Sequence, residues 1–127
     1  IVFYCGENDI AGLLLTKYHT AEEVRDLFVE FCAKCKKAFP QVNIFFISIK
    51  PPQKRIKYWE EMKKANRLIS DFCESLEGSY FIDIVPILSE GGKIKEGISR
   101  RDGIHLNEEG YSLITSVIKP VLLDHFA

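Results

Sequence analysis

Apolar residues fall into three short dense runs separated by two long stretches of helical spacing. Ile1-Val-Phe-Tyr-Cys5 ends at Gly6, Val42 to Ile49 ends at Lys50-Pro51-Pro52, and Tyr80 to Val85 ends at Pro86. Each run is rich in β-branched and aromatic types and nearly continuous in hydrophobicity, the pattern of a strand buried on both faces. The first helical stretch runs from Thr20 to Phe39. Thr20-Ala-Glu-Glu23 spells a capping box. Val24, Leu27, Phe28, Phe31, Cys32, Cys35 and Phe39 outline an apolar face, and Pro40 stops the helix. In the second stretch, Gln53 to Leu76, the buried stripe is Ile56, Trp59, Met62, Leu68, Ile69, Phe72, Cys73 and Leu76, with Gly78 placed to cap its end. A last helix starts near Glu108 and reaches Pro120-Val-Leu-Leu123, where Pro120 is expected to kink or divide it.

The order is βαβαβ, then a loop and a terminal helix. Helical crossovers between buried strands imply an α/β fold with a parallel sheet covered on both faces. No repeat, low-complexity segment or linker interrupts it, so residues 1–127 read as a single domain. The longest irregular stretch, Pro86 to His105, holds Gly91, Gly92, Gly97 and Gly103, and a loop that long in a compact domain points to function or mobility. The first strand reads as central, yet nothing precedes it. Three covered parallel strands make a narrow sheet with poorly protected edges. Strands are therefore expected on the N-terminal side of this chain, or from a partner.

Composition narrows the class. A chain of 127 residues with net charge −1 has room for one core and no field that would draw in nucleic acid. No apolar run reaches the roughly 20 residues of a membrane-spanning helix. The opening IVFYCG has neither the basic start nor the cleavage site of a secretory signal, and no initiator Met, as in a processed or truncated product. Cys32-Ala-Lys-Cys35 has the spacing of redox and zinc sites, but no second pair or His pair completes a zinc set. Both cysteines fall on the apolar face of a helix and read as small core residues. Reduced cysteines lean towards a cytoplasmic location.

Chemistry concentrates at two places. Ligands of open parallel sheets sit outside the carboxyl ends of the strands, where Gly6-Glu-Asn8-Asp9 follows the first strand. Gly6 permits a tight turn and close approach of a substrate. Asn8 is either a turn residue or an amide whose donors face a developing negative charge. Asp102-Gly-Ile-His105-Leu-Asn107 enters the last helix. A carboxylate three residues before an imidazole can bend onto it, hold one ring nitrogen protonated and leave the other free as a base. Asn107 suits the N-cap of the helix that follows.

The two motifs in this order resemble the third and fifth conserved blocks of the GDSL-type (SGNH) hydrolases. Phe46-Ile-Ser-Ile-Lys50-Pro51, Trp59-x-x-Met62-x-x-Ala65-Asn66 and Phe81-Ile-Asp-Ile84 are similar to members of that family as well. The resemblance implies a three-layer αβα sandwich of flavodoxin-like type, of which this chain is the C-terminal part with the N-terminal strands missing. It implies hydrolysis of esters or thioesters, on a small-molecule ester or lipid-like substrate, without cofactor or metal. In those terms Asn8 donates to the oxyanion, Gly6 and Asn8 contact substrate, His105 is base and then acid, and Asp102 orients His105. The family's serine lies in a Gly-Asp-Ser block ahead of the strand that begins here at Ile1, and no serine of this chain follows Gly-Asp. The nucleophile is then expected from an N-terminal segment or a second chain, with these 127 residues inactive alone. A non-catalytic binding or regulatory module, or a small flavodoxin-like domain with chance motifs, are the alternatives.

Other residues read as ordinary. His19 and His125 are expected at the surface. The run Lys54, Arg55, Lys57, Lys63, Lys64 and Arg67, broken by Glu60 and Glu61, reads as a solvated helix face, since no row of aromatics accompanies it for base stacking. Arg100 and Arg101 stand beside Asp102, where they could border a substrate pocket.

Overall fold

The computed structural model describes residues 1–12 and 18–126. Three strands, β1 (Val2–Phe3), β2 (Ile44–Ile47) and β3 (Ser79–Ile82), form a parallel sheet in the order β1-β2-β3. Val2 pairs with Phe45, and Phe45 with Tyr80, so one register line crosses the sheet. The crossovers carry α2 (Ala21–Ala38) and α3 (Trp59–Ser75), and α5 (Glu108–Phe126) closes the other face. Alternation along β2 divides the core. Ile44 and Phe46 pack with Val24, Phe28, Met62 and Ile69 under α2 and α3. Phe45 and Ile47 pack with Ile82, Ile84, Leu88 and Leu106, against Leu113, Val117 and Val121 of α5. The result is the αβα sandwich that the alternating pattern implied. No helix among the described residues is long and apolar enough to cross a membrane.

Side-chain hydrogen bonds finish the strand ends. The Asn66 carboxamide on α3 accepts from the Ile49 N–H at 2.7 Å and donates to the Ile49 carbonyl at 3.0 Å, pairing backbone that has left the sheet. Ser48 donates to Asp83 at 3.1 Å and accepts from the Ile84 N–H at 2.9 Å, tying the end of β2 to the end of β3. The expected capping box at Thr20 and Glu23 is present. Asn107 accepts from the Gly110 N–H at 3.0 Å at the start of α5, as its position suggested.

Several expectations need correction. Among the described strands only β2 is buried on both faces; β1 lies at an edge, with Ile1 and Val2 44% and 47% exposed, because among the described residues it has a strand neighbour on one side only. Leu27, Phe39 and Ile56 are exposed rather than buried. Leu27 faces the open side of β1 beside Phe3, Phe39 lies just past the end of α2, and Ile56 belongs to a single 3-10 turn (Ile56–Tyr58) that precedes α3. Gly78 adopts φ +76° in the turn before β3, two residues beyond the actual cap, Leu76. Pro120 does not divide α5, which runs unbroken to Phe126. Both Pro120 and Ser116, whose carbonyl loses its N–H partner, face solvent, so water can take the missing bond. The stretch after Pro86 is not one loop. It contains α4 (Val85–Leu88) and a hairpin of β4 (Ser89–Glu90) and β5 (Lys93–Ile94). Gly91 and Gly92, at φ +58° and +78°, supply the two left-handed positions of its two-residue turn.

Candidate active site

The chain leaves β1 through Gly6, at φ +116°. A Cβ there would lie 2.9 Å from Ile49 Cδ1, so the turn requires glycine on steric as well as conformational grounds. The turn leads into a short helix, α1 (Glu7–Ala11), closed by Ile10 and Gly12 N–H bonds to the Gly6 and Asn8 carbonyls. Asn8 is exposed. Arg55 Nη1 donates to its Oδ1 at 2.8 Å. A guanidinium has no acceptor, so the carbonyl side of the amide must face it, and the Asn8 Nδ2 donors are left for another partner.

Glu7 beneath it is buried and receives Lys50 Nζ at 2.7 Å and the Tyr4 hydroxyl at 3.2 Å on Oε2. Its Oε1 lies 3.5 Å from Arg55 Nη1, an ion-pair distance with no hydrogen bond. Arg55 thus shares one nitrogen between Glu7 and Asn8, and the Glu7–Lys50 pair anchors the arrangement from below. The pairing of Glu7, Lys50 and Arg55 did not stand out in the sequence. Arg55 sat inside a run that reads as a solvated face. Glu61, from the same run, in fact accepts from the Ala21 N–H at 2.7 Å. Lys63 with Glu60, and Lys64 with Glu22, do form surface pairs.

The second element is the loop before α5. Asp102 Oδ1 accepts from the Ile104 and His105 N–H groups at 2.9 and 3.0 Å, and Oδ2 meets His105 Nδ1 at 2.5 Å. The bond to the His105 ring, then those two amides, hold the Asp102 carboxyl below the usual carboxylate range. A carboxylate on Nδ1 selects the tautomer in which Nε2 carries the free lone pair. Bonds from the Arg100 N–H to the His105 carbonyl (2.8 Å) and from the Asn107 N–H to the Ile98 carbonyl (2.9 Å) pin the loop at both ends.

Gly6, Asn8 and His105 line one cavity of about 370 Å³ at the carboxyl end of the strands, with Ile47, Ile84 and Leu106 as its apolar wall. Asp102 stands behind His105. Among the described residues, no serine lines this cavity. Ser48 is fully buried and bonded to Asp83, so it is not placed to attack anything. Arg100 and Arg101 do not border this cavity; they line a separate one on the other side of the loop. His125 is not a plain surface residue, since its ring packs edge-on to Tyr80 and Phe45 at 4.4 and 5.0 Å. His19 is half-buried, with its N–H bonded to the Asp9 carbonyl. The CxxC cysteines are free, and burial pushes the Cys32 thiol up to about 12 and the Cys73 thiol to about 11, which suits core residues.

A parallel-sheet sandwich that presents a carboxylate–imidazole pair and an asparagine at its strand ends belongs to the α/β proteins that place reactive side chains on loops. The chain belongs to the GDSL-like lipase/acylhydrolase family, which it matches over residues 1–118. Solved structures agree in fold. A proposed acylhydrolase of Bacteroides fragilis aligns with TM-score 0.81 at 16% identity, over 99% of this chain and 62% of its own. A carbohydrate esterase of family 3 from Talaromyces cellulolyticus aligns with TM-score 0.77 at 20% identity, over 97% and 56%. A GDSL-like lipase of Bacteroides thetaiotaomicron gives 0.74 at 18%, over 98% and 62%. The chain therefore spans about three fifths of the length of the structures it resembles. No curated protein matches it.

Proposed function

We propose that this chain is the base-and-oxyanion part of a serine hydrolase acting on carboxylic esters or thioesters. The observation that carries the proposal is the convergence of Asn8 and His105 on one cavity, with Asp102 bonded to His105 Nδ1 at 2.5 Å. The serine comes from a Gly-Asp-Ser segment outside these residues or from a second chain. Its hydroxyl gives its proton to His105 Nε2 as the oxygen attacks the acyl carbon. Asp102 stabilises the imidazolium, and Asn8 Nδ2 donates to the oxyanion. His105 then returns the proton to the departing alkoxide or thiolate. Water repeats the sequence on the acyl-serine, releasing the acid and restoring the serine. Arg55 and Glu7 act through Asn8: they turn its carbonyl side away from the cavity.

The test is p-nitrophenyl acetate hydrolysis by this chain and by a longer form that restores the Gly-Asp-Ser segment. The longer form should turn over, keep its activity in EDTA, and lose nearly all of it in His105→Ala; the chain alone should be silent. His105-dependent turnover by the chain alone would refute an external serine. That no serine among the described residues lines the cavity also favours a second reading, a non-catalytic binding module, and a longer form that stays inactive would establish it.

A further inference from the structure

On the far side of the Asp102–His105 loop lies a second cavity, of about 570 Å³, bounded by residues 52–54 and 56, the β5 end of the hairpin, and residues 99–101 and 103. Lys54, Lys93, Lys95, Arg100 and Arg101 line it, and Glu96 is the single acidic residue among them. None of the five cations takes part in an ion pair among the described residues, although Lys34, Lys50, Arg55, Lys63 and Lys64 elsewhere all do. Five like charges around one hollow repel one another, and opposite charge brought between them relieves that repulsion.

Three of the five backbones that carry these side chains are held by hydrogen bonds. The Lys54 N–H donates to the Gly103 carbonyl at 3.1 Å, the Lys95 N–H to the Leu88 carbonyl at 2.8 Å, and the Arg100 N–H to the His105 carbonyl at 2.8 Å. A Cβ on Gly103 would lie 2.5 Å from Lys54 Cγ, so this glycine leaves space for the Lys54 stem to lie across the loop. Consecutive residues of one loop face the two cavities: Gly103 borders the cationic one, Ile104 and His105 the other. The same loop therefore forms part of the wall of both cavities.

We propose that the second cavity binds a phosphate group carried by a small, soluble ester substrate. The inference rests on the hydrolase reading above and names its substrate class. Phosphate fits better than a single carboxylate, because it carries more charge and three acceptor oxygens, and because guanidinium forks match its geometry.

The first arm of the test uses this chain and inorganic pyrophosphate, followed by amide shifts in about 50 mM salt, where screening is modest. Shifts should centre on residues 93–95 and 100–103. Arg100→Gln/Arg101→Gln should weaken binding at least about tenfold, the scale of one lost charge-assisted bond. Lys93→Gln/Lys95→Gln, on the opposite wall, should do the same should the first pair disturb the loop. Lys34→Gln/Lys63→Gln, with the same loss of charge elsewhere, should bind as before. No shift at millimolar pyrophosphate, or equal weakening in the control, overturns the proposal. The second arm compares acetyl esters of glycerol and of glycerol phosphate in the longer, serine-bearing form. A phosphate preference that Arg100→Gln/Arg101→Gln removes supports the proposal; pyrophosphate binding without that preference overturns it. The failures separate. Pyrophosphate binding does not involve the serine or His105, so it persists if the hydrolase reading falls. Turnover of the neutral ester persists if only the phosphate inference falls.

Discussion

On one side of the cavity, Asn8 is fixed by Arg55, 47 residues away, and Glu7 by Lys50, 43 residues away. On the other, Asp102 and His105 hold each other across three positions, helped by two amides of the same loop. The first side is buried at its base; in the second the His105 side chain is 63% exposed. Such a loop keeps its geometry even at the surface, because the bonds that hold the Asp102–His105 pair itself close short rings. An amide exposed on a short helix has no such local support, and a buried ion pair beneath it supplies the missing rigidity. Chemistry and stability should therefore respond to mutation at different places.

The largest effect expected is on turnover. In the longer serine-bearing form, Asp102→Asn should lower kcat on the order of 10⁴-fold, because the carboxamide can favour the wrong tautomer of His105. Thermal melting of the same variant should move little, as for other exposed sites. Next comes Glu7→Gln. It strands the Lys50 charge in a buried position and should cost roughly 3–5 kcal/mol in urea unfolding of this chain, as when one partner of a buried pair is removed. Adding Lys50→Met should return much of that loss. If Glu7→Gln proved as mild as Asp102→Asn in unfolding, the contrast between the two sides would collapse. Asn8→Ala should reduce turnover about 10²–10³-fold, the usual cost of one oxyanion donor. A neutral result there would return Asn8 to the status of a turn residue.

The smallest effect is a titration. The Asp102 carboxyl should remain ionised while ordinary carboxyls, near about pH 4, take up protons. Its folded pKa is depressed, so the stability it contributes is present above the unfolded pKa and lost as pH falls through the folded one. Carboxyl carbon shifts of this chain should show it, and His105→Ala should move the titration back towards the ordinary range.

The same contrast explains what the sequence disclosed. The Asp102–His105 motif was legible because its bonds are local and residue spacing reports them directly. The sandwich was legible because buried strands and amphipathic helices write their period into the chain. Lys50 and Arg55 were hidden because their partners lie 43 and 47 residues away, beyond the neighbouring strand, and a cation in a charged run, as Arg55 is, looks solvated until the fold bends it back. The hairpin at Ser89–Ile94 was missed because two-residue strands leave no alternation to count. Arg100 and Arg101 were rightly placed beside the motif, but on its opposite side, since spacing cannot say which way a side chain turns.

The outer edge of β1 carries a consequence for handling the molecule. Its backbone groups on that side have no strand partner among the described residues, and Ile1, Val2, Tyr4 and Leu27 are exposed there or close by. Such an edge is a template for strands of other chains. A net charge of −1 and a sequence pI near 6.3 give little electrostatic repulsion between copies near neutral pH. Colloidal loss of the isolated chain should therefore be worst close to that pI and should ease as alkaline buffer raises its negative charge. A Lys at Val2 would blunt the edge and prolong shelf life without touching the cavity.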